Sequence, residues 1–278
     1  MFSFAGYYLY QKLSDSQSSF IYRAKRSQDS VVLKIFTHLY PSSAQLASIK
    51  QEYEIMRYLN SLESPERAVE GVVITYDLFR LERWVMVLED FGGEALARLG
   101  IRYQTNIADF IRLAINITQT VAQIHRKQVC HCNINPSNIV LNQKTGEVKF
   151  IDFGHATFFS ASQPNFLASS SLEDRWPYIS PEQTGRINRE VDYRTDFYSL
   201  GITFYELLTG QLPFNCDEPL LWVHYHMAKT PVTPHDLMPQ IPLRLSEIVM
   251  KLIAKDPDER YQSASDIQTD LESCLEQF

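Results

Sequence analysis

The sequence predicts an α+β fold with two lobes, a small β-rich N-terminal lobe around one main helix and a larger, mostly helical C-terminal lobe. Short β-branched or aromatic runs separated by polar segments fill the first 90 residues, which is typical of strands. Beyond Gly92 and Gly93, apolar residues recur at helical spacing. We therefore expect an N-lobe at 1–91 with a five-stranded sheet, a C-lobe at 92–278, and a ligand site in the cleft between them.

The main helix and the strands of the N-lobe follow from their side-chain periods. Leu46, Ile49, Tyr53 and Met56 recur at helical spacing, so we predict an amphipathic helix over 43–60. Runs of β-branched and aromatic residues on either side of it predict three strands, at 31–36, 72–79 and 84–88.

The C-lobe is predicted from helical periodicity and from its turns. Apolar residues at helical spacing from Ile107 to Ile124 predict one long helix, and the run 195–208 is apolar on nearly every face, which indicates a buried helix. Two short strands flank a turn, at 139–141 and 148–151. The remainder is predicted to be helical, apart from a polar stretch at 160–174 and a proline-punctuated loop at 231–242.

Composition excludes several classes of protein. With 278 residues, 45% hydrophobic and 21% charged, the chain is neither disordered nor fibrous. No window approaches the roughly 18 apolar residues of a membrane span, and the start lacks a basic leader, so we expect a cytosolic location. The net charge of −7 comes from interspersed charges, so neither nucleic acid nor a membrane surface is an expected partner. Four cysteines are too few for a disulfide framework.

Four charged or amide side chains follow one another in the order that a nucleotide site needs. Lys34 closes the strand run VVLK, and Glu52 lies on the helix that follows. Asn138 closes HCNINPSN, and Asp152 opens DFG after a strand. In these motifs the sequence resembles the protein kinase family, and the resemblance covers essentially the whole chain.

Further motifs agree with this resemblance. SPE at 180–182 is similar to the family's APE, the helix with Asp196, Ser199 and Gly201 is similar to DxWSxG, and Arg260 is similar to the arginine that pairs with the APE glutamate. The segments EDFGGE and SPEQTGRINR look more specifically like the N-terminal kinase module of large cyanobacterial sensor histidine kinases. That likeness implies that the chain is part of a larger multidomain protein.

The resemblance implies that Lys34 holds α- and β-phosphate oxygens of ATP and that Glu52 holds Lys34 in place. The alternative is a surface lysine at a strand end. Glu54 lies two residues further, about 200° round the helix axis, so only one of the two glutamates can face the cleft. We choose Glu52 because it precedes Leu59 by the family's spacing of seven residues.

The resemblance also implies which residues bind the metal ion and which contact the adenine. Asp152 and Asn138 would supply the oxygen ligands that Mg²⁺ prefers, with an ordinary turn aspartate and turn asparagine as the alternative. Leu88 would be the gatekeeper, and the backbone of Glu89 and Phe91 would meet the adenine edge.

The catalytic loop departs from the family's HRDxKxxN. Asn133 stands where the family has the aspartate that accepts the substrate hydroxyl's proton. An amide is far too weak a base to take that proton. Loss of a general base typically costs about 10² to 10⁴ in rate. Asn135 stands where the family has the lysine that stabilises the transferred phosphoryl group, so the site lacks that cation.

Two further positions of this site are changed. When positions are counted back from SPE, Arg175 stands where the family has the threonine that bonds the catalytic aspartate. We expect Arg175 to find another anion, Asp152 or Glu173, and in the first case to compete with Mg²⁺; the alternative is an arginine projecting into solvent. Cys132 replaces the arginine that reads a phosphorylated activation segment, so control by that route is not expected.

The nucleotide loop contains no glycine. The chain has 10 glycines, and only Gly6 precedes residue 70. Aligning 13–22 with LGxGxxGxVY puts three serines on the glycines, with Ile21 at the valine: Ser14, Ser16 and Ser19. Serine keeps the N–H but adds a Cβ, so phosphate contact is weakened. Val32 replaces the small alanine over the adenine and narrows the pocket.

Two apparent metal or polar clusters have simpler explanations. Cys130, His131 and Cys132 suggest zinc, but adjacent residues of an extended chain point to opposite faces and no second cysteine or histidine motif lies nearby. We interpret His131 as a core residue. His224 and His226 lie in a helical, surface-like stretch, and we interpret them as a solvated face.

Selective loss at one site leads to a functional hypothesis. Asn133, Asn135 and Arg175 alter the site that handles the proton and the phosphoryl group, whereas the structural motifs are intact. The sequence predicts a pseudokinase that binds ATP and Mg²⁺ weakly and regulates a protein partner. The alternatives are an active, atypical Ser/Thr kinase with a protein substrate and a scaffold that binds no nucleotide.

Overall fold

The computed structural model describes residues 2–61, 68–100, 106–159, 175–187 and 189–278. The strands of the described chain are β1 (Phe2–Phe4), β2 (Tyr7–Asp15), β3 (Ser19–Arg26), β4 (Asp29–Phe36), β5 (Thr75–Arg80), β6 (Trp84–Glu89), β7 (Glu94–Ala95), β8 (Val129–Cys130), β9 (Ile139–Leu141), β10 (Val148–Phe150) and β11 (Thr157–Phe158). The α-helices are α1 (Ser43–Asn60), α2 (Leu96–Leu99), α3 (Ile107–Arg126), α4 (Arg194–Thr209), α5 (Pro219–Ala228), α6 (Pro234–Leu237), α7 (Leu243–Leu252) and α8 (Ala264–Leu275).

The chain divides into two compact units, which confirm the predicted α+β class. The first comprises Met1–Gly93 and Asn142–His155, and the second comprises Glu94–Leu141 and Ala156–Phe278. The segment 142–155, which carries DFG, thus belongs with the β-rich unit rather than with the helical one. The predicted polar stretch 160–174 lies outside the described residues. No helix in the described ranges combines the length and the apolarity of a membrane span.

The first unit is built on an antiparallel sheet of six strands in the order β1-β2-β3-β4-β6-β5. It has one strand more than the sequence predicted, because β1 folds back on β2 through Ala5 and Gly6. Both turn residues have positive φ, 54° and 79°, as two-residue hairpin turns require. Another difference concerns the strand predicted at 72–79, which begins only at Thr75; Val72 forms a single parallel bridge to Phe150.

One face of this sheet is an apolar core made by alternate residues of β4 and β6, among them Leu33, Ile35, Val85 and Val87. Because side chains alternate along a strand, Lys34 points to the opposite face from Leu33. Helix α1 has the predicted bounds, and its first turn is closed by a capping box in which Ser42 and Gln45 exchange side-chain and backbone bonds.

In the second unit, α3 packs against α8, and α4 packs against α7. Gly201 allows α4 to approach closely, because a Cβ there would lie 2.6 Å from side-chain atoms of Leu252 and Ile253. Helix α4 is buried along almost its whole length, as the apolar run predicted. A fully buried ion pair joins Arg260 to Glu182, with its two hydrogen bonds at 2.7 and 2.8 Å.

Candidate functional site

Three charged groups of the first unit meet at Lys34. Its Nζ donates to Oε1 of Glu52 at 2.6 Å and to Oδ1 of Asp152 at 2.7 Å. Lys34 lies inside β4, which continues to Phe36, rather than at a strand end, and it is only 8% exposed. The surface-lysine alternative is therefore excluded.

Helix α1 selects one of its two neighbouring glutamates for this cluster. Glu52 is on the buried side with Ile55, Met56 and Leu59, whereas Glu54 is exposed. Since successive residues turn about 100° round a helix, a shift of two positions moves a side chain to the other face. The sequence reasoning that placed Glu52 rather than Glu54 next to Lys34 is confirmed by this contact.

The cluster perturbs its own ionisation. Burial raises the pKa of Glu52 to about 7, with Asp152 acting in the same direction and Lys34 in the opposite one. Burial alone would lower the pKa of Lys34, but the carboxylates of Asp152 and Glu52 outweigh it and raise the pKa. Asp152 adopts a left-handed φ of 62° and stays partly exposed, at 36% of its side chain, so a cation can reach it.

The hairpin between β2 and β3 is the predicted nucleotide loop. Ser14 lies in β2, Ser16 in the turn and Ser19 at the start of β3. The Ser16 N–H donates to the Ser19 carbonyl at 3.0 Å, and the Ser19 N–H donates to the Ser16 hydroxyl at 3.1 Å. Ile21 opposes Lys34 on the neighbouring strand. Ser16 and Ser19 therefore close the turn by bonding to each other, whereas Ser14 lies in the strand before it.

The segment predicted to meet the adenine is also held by side chains. Leu88 is buried and opposes Val32 across β4 and β6. The Glu89 carboxylate accepts two bonds from Lys149 at 2.8 Å, and the Phe91 carbonyl accepts one from the Asn142 amide at 2.6 Å. These contacts fix the backbone that would face a base.

Sequence reasoning missed Lys149 and Asn142. Lys149 is the charged residue in the apolar run VKFI, where a buried position signals a partner for the charge. Asn142 directly follows β9 and begins a turn, and nothing in the sequence relates it to Phe91, which lies 51 positions away.

The predicted catalytic loop lies in the second unit and contains a network of amide hydrogen bonds. Asn135 Nδ2 donates to the carbonyl of Asn133 at 3.1 Å and to its Oδ1 at 3.3 Å. Asn138 Nδ2 donates to the same carbonyl at 2.9 Å, so Oδ1 is the atom of Asn138 suited to a cation. All three asparagines are buried. The amide side chains of the loop thus bond to one another and to its backbone.

Asp196 of α4 anchors this loop from below. Its carboxylate accepts the backbone N–H groups of His131 and Cys132, each at 2.8 Å, and Nε2 of His125 at 2.8 Å. Burial alone would raise the pKa of Asp196, but the bond from His125 and the nearby histidines hold it below its usual value. His131 is fully buried, as predicted.

Arg175 lies against the same loop. It is only 4% exposed, which excludes the alternative of an arginine projecting into solvent. Its Nη2 donates to the Cys132 carbonyl at 3.3 Å, and Gln183 Nε2 donates to the same oxygen at 3.0 Å. Glu173, one of its two expected partners, is outside the described residues, and the pairing with an anion stays a prediction.

The two cysteines beside this loop come close together. Their Sγ atoms, in Cys130 and Cys132, are 3.1 Å apart and lie near the carboxylate of Asp196. The carboxylate already accepts three hydrogen bonds, and burial raises the pKa of the Cys130 thiol well above its usual value. Among the described residues the cluster offers three ligand groups, fewer than the four of a structural zinc site.

The interpretation of His226 as solvated is wrong. His224 is exposed, but His226 is fully buried, because it lies one turn after Trp222 on the inner face of α5. Its Nε2 donates to the Trp176 carbonyl at 2.7 Å, so its Nδ1 accepts the Tyr198 hydroxyl at 2.9 Å. Burial lowers the pKa of His226 to about 3, which keeps it neutral.

The segment that follows Arg175 is thereby fixed to helices of the second unit. Besides the Trp176 carbonyl, the Tyr178 hydroxyl donates to Glu206 at 2.6 Å, and the Tyr178 carbonyl accepts the Ser199 hydroxyl at 2.8 Å. Side-chain contacts thus hold Trp176 and Tyr178 in place without a phosphate group.

Comparison with known proteins agrees with this geometry. A family model described as protein kinase domain matches residues 7–271. A probable serine/threonine-protein kinase of Streptomyces coelicolor is 36% identical over 60% of this chain and 24% of its own length. One of Clostridium perfringens is 36% identical over 58% and 23%. The hybrid signal transduction histidine kinase G of Dictyostelium discoideum is 31% identical over 60% and 7%. The chain thus spans a quarter or less of the length of these relatives.

Proposed function

Because the chain belongs to the protein kinase family, we propose that it is a pseudokinase, a kinase domain that binds ATP with Mg²⁺ weakly and regulates a protein partner. The observation that carries the proposal is the amide of Asn133 where the family has its catalytic carboxylate. An amide oxygen orients a hydroxyl but does not take its proton, and loss of a general base costs about 10² to 10⁴ in rate.

The surroundings of Asn133 add to this loss. Asn135 donates to the Asn133 oxygen at 3.3 Å, so the atom that would meet a substrate hydroxyl already accepts a hydrogen bond. Asn135 also brings no positive charge to a site where negative charge develops during phosphoryl transfer. Both changes act on the same step, while the anchor of the loop, Asp196, is kept.

The nucleotide-binding groups of the first unit are retained. Lys34, Glu52 and Asp152 bring one ammonium and two carboxylates together, a donor set that suits a metal-bound phosphate. Lys34 would hold phosphate oxygens, and Asp152 would offer carboxylate oxygens to Mg²⁺. When bound, the ion neutralises phosphate charge. Retention of these groups supports weak binding over complete loss.

Phosphate transfer tests the proposal. We expect no transfer of the ATP γ-phosphate to generic protein substrates by the unmodified chain, and measurable transfer by the Asn133→Asp, Asn135→Lys double variant. An Asp152→Ala variant of each serves as the background. Robust transfer by the unmodified chain that Asp152→Ala abolishes would overturn the pseudokinase proposal.

Two alternatives remain open to experiment. Phosphoryl transfer passes through a loose transition state that asks little of a base, and relatives described as serine/threonine kinases favour an active enzyme. The serine loop favours a scaffold that binds no nucleotide. Thermal unfolding with ATP and Mg²⁺ separates this scaffold from the two nucleotide-binding candidates. Ligand at 100 times its Kd adds about 2.7 kcal/mol of stability, and a scaffold that binds no nucleotide would show no shift.

The setting of the module is part of the proposal. The similarity to a hybrid signal transduction histidine kinase supports a place within a larger signalling chain. The likeness to cyanobacterial sensor histidine kinases and the cytosolic location stay predictions.

A further inference from the structure

Lys255, which follows α7 in the second unit, is a half-buried lysine that forms no ion pair within the described ranges. Its Nζ donates to the Tyr225 carbonyl at 3.2 Å and to the Tyr198 hydroxyl at 3.4 Å, which are both neutral oxygens. The same nitrogen lies 4.6 Å from the centre of the Phe214 ring. A lysine that leaves water usually pairs with a carboxylate. This amine is enclosed without the partner that would hold its proton.

The groups around the Lys255 amine favour its neutral form. Burial, and after it the positive charge of Arg260, lower the pKa of Lys255 to about 8. The Arg260 guanidinium is paired with Glu182 and lies 4.9 Å from the centre of the Tyr198 ring. His226 of α5 adds no charge, because burial lowers its pKa to about 3. At pH 7 an amine with a pKa of about 8 is neutral in about one molecule in ten, against about one in three thousand for an ordinary lysine.

A chain of hydrogen bonds leads from this amine to the segment after Arg175. The Tyr198 hydroxyl accepts from Lys255 and donates to Nδ1 of His226 at 2.9 Å. Nε2 of His226 donates to the Trp176 carbonyl at 2.7 Å. All of these residues belong to the second unit. The position of Trp176 therefore depends on contacts that begin at the Lys255 nitrogen.

We propose that Lys255 is a modification site at which a small acyl phosphate transfers its acyl group to the amine, and that this transfer loosens the segment at Trp176. The neutral amine attacks the carbonyl carbon and forms a C–N bond. The C–O bond to phosphate breaks, phosphate leaves with the electron pair, and the amine proton passes to water. The donor must be small, because an enclosed amine does not extend into the cleft of a transferase. This inference does not depend on nucleotide binding.

The acylated nitrogen does not keep its present contacts. An amide has a single N–H, so it has no separate hydrogen for each of Tyr225 and Tyr198. The added acyl group must also find room beside the buried Phe214 ring, and extra atoms in a packed core displace their neighbours. We expect this displacement to pass through Tyr198 and His226 to Trp176.

Incubation of the folded chain with acetyl phosphate at pH 7, followed by peptide mass spectrometry, tests the modification. We expect Lys255 to be acetylated about tenfold faster than the exposed Lys251 and Lys229. Lys229 is the matched control, because its Nζ also lies over a ring, that of Tyr225 at 4.0 Å, but on the surface. In the chain unfolded by urea the three rates should agree. A Lys255 rate no higher than the control rates, or a preference that persists after unfolding, would refute the inference.

Hydrogen exchange at the Tyr178 N–H, which donates to the Arg175 carbonyl at 2.9 Å, tests the consequence. Lys255→Met removes the charge and both hydrogen bonds, and it should speed this exchange by about threefold or more. Lys255→Arg keeps a donor and a charge and should speed it less. If Lys255→Met does not fold, the chain acetylated by acetyl phosphate is measured in its place. Exchange as slow as in the unmodified chain would overturn the link from Lys255 to Trp176.

Discussion

The buried ion pair between Arg260 and Glu182 gives the sharpest stability prediction. Both side chains have no exposed surface, and Arg260 also donates to three carbonyl oxygens, at 2.8, 3.0 and 3.1 Å. Arg260→Met leaves the Glu182 carboxylate buried with the Thr195 hydroxyl but without its cation. Removing one partner of such a pair typically costs about 3–5 kcal/mol. Because total stability is about 5–15 kcal/mol, this change should remove a large share of it.

A double-mutant cycle checks this, with thermal unfolding followed by circular dichroism. At about 2–4 °C per kcal/mol, Arg260→Met should lower Tm by roughly 10 °C. Adding Glu182→Leu removes the unpaired charge, so the double variant should be less destabilised than the sum of the single variants. Strictly additive losses would refute the reasoning. Arg189→Met is the control, because its pair with Asp258 is exposed at 46% and 56% and should contribute about 1 kcal/mol or less.

Three other predictions concern packing and pH. Gly201→Ala should destabilise the protein by about 1–3 kcal/mol in urea unfolding, because its Cβ would lie 2.6 Å from α7 side-chain atoms; an unchanged midpoint would contradict the close approach. His226 has a pKa lowered to about 3, so its contribution to the free energy of unfolding is present above its ordinary pKa near 6.5 and is lost as pH falls. His226→Gln should therefore flatten the loss of stability between pH 6.5 and 3. An equal slope in the variant would argue against a buried neutral ring. Glu52 has a raised pKa of about 7, so its contribution to the free energy of unfolding is greatest below pH 4.5 and falls as pH rises to 7. Glu52→Gln should remove that fall. The measurement is the difference in unfolding free energy between the two proteins across this range.

The sequence by itself determined the order of the motifs and the asparagines of the predicted catalytic loop. Local periodicity was sufficient for the bounds of α1, because a capping box and a helical repeat lie within its own residues. The helical period also separated Glu52 from Glu54. The replacement of glycine by serine at Ser14, Ser16 and Ser19 is likewise visible in the sequence alone, as is the amide at Asn133.

The tertiary structure decided which of these side chains have partners. The Thr37 hydroxyl donates to the Gln17 carbonyl, 20 positions away, and the His226 ring donates to the Trp176 carbonyl, 50 positions away, so neither contact leaves a local signal. The burial of His226 depends on which face of α5 meets α4 through Tyr198. A sequence specifies chemical groups and local turns, whereas the satisfaction of a donor depends on atoms brought close by distant segments. For that reason the sequence predicted a weakened nucleotide loop, and the structure added that Ser16 and Ser19 bond to each other within it.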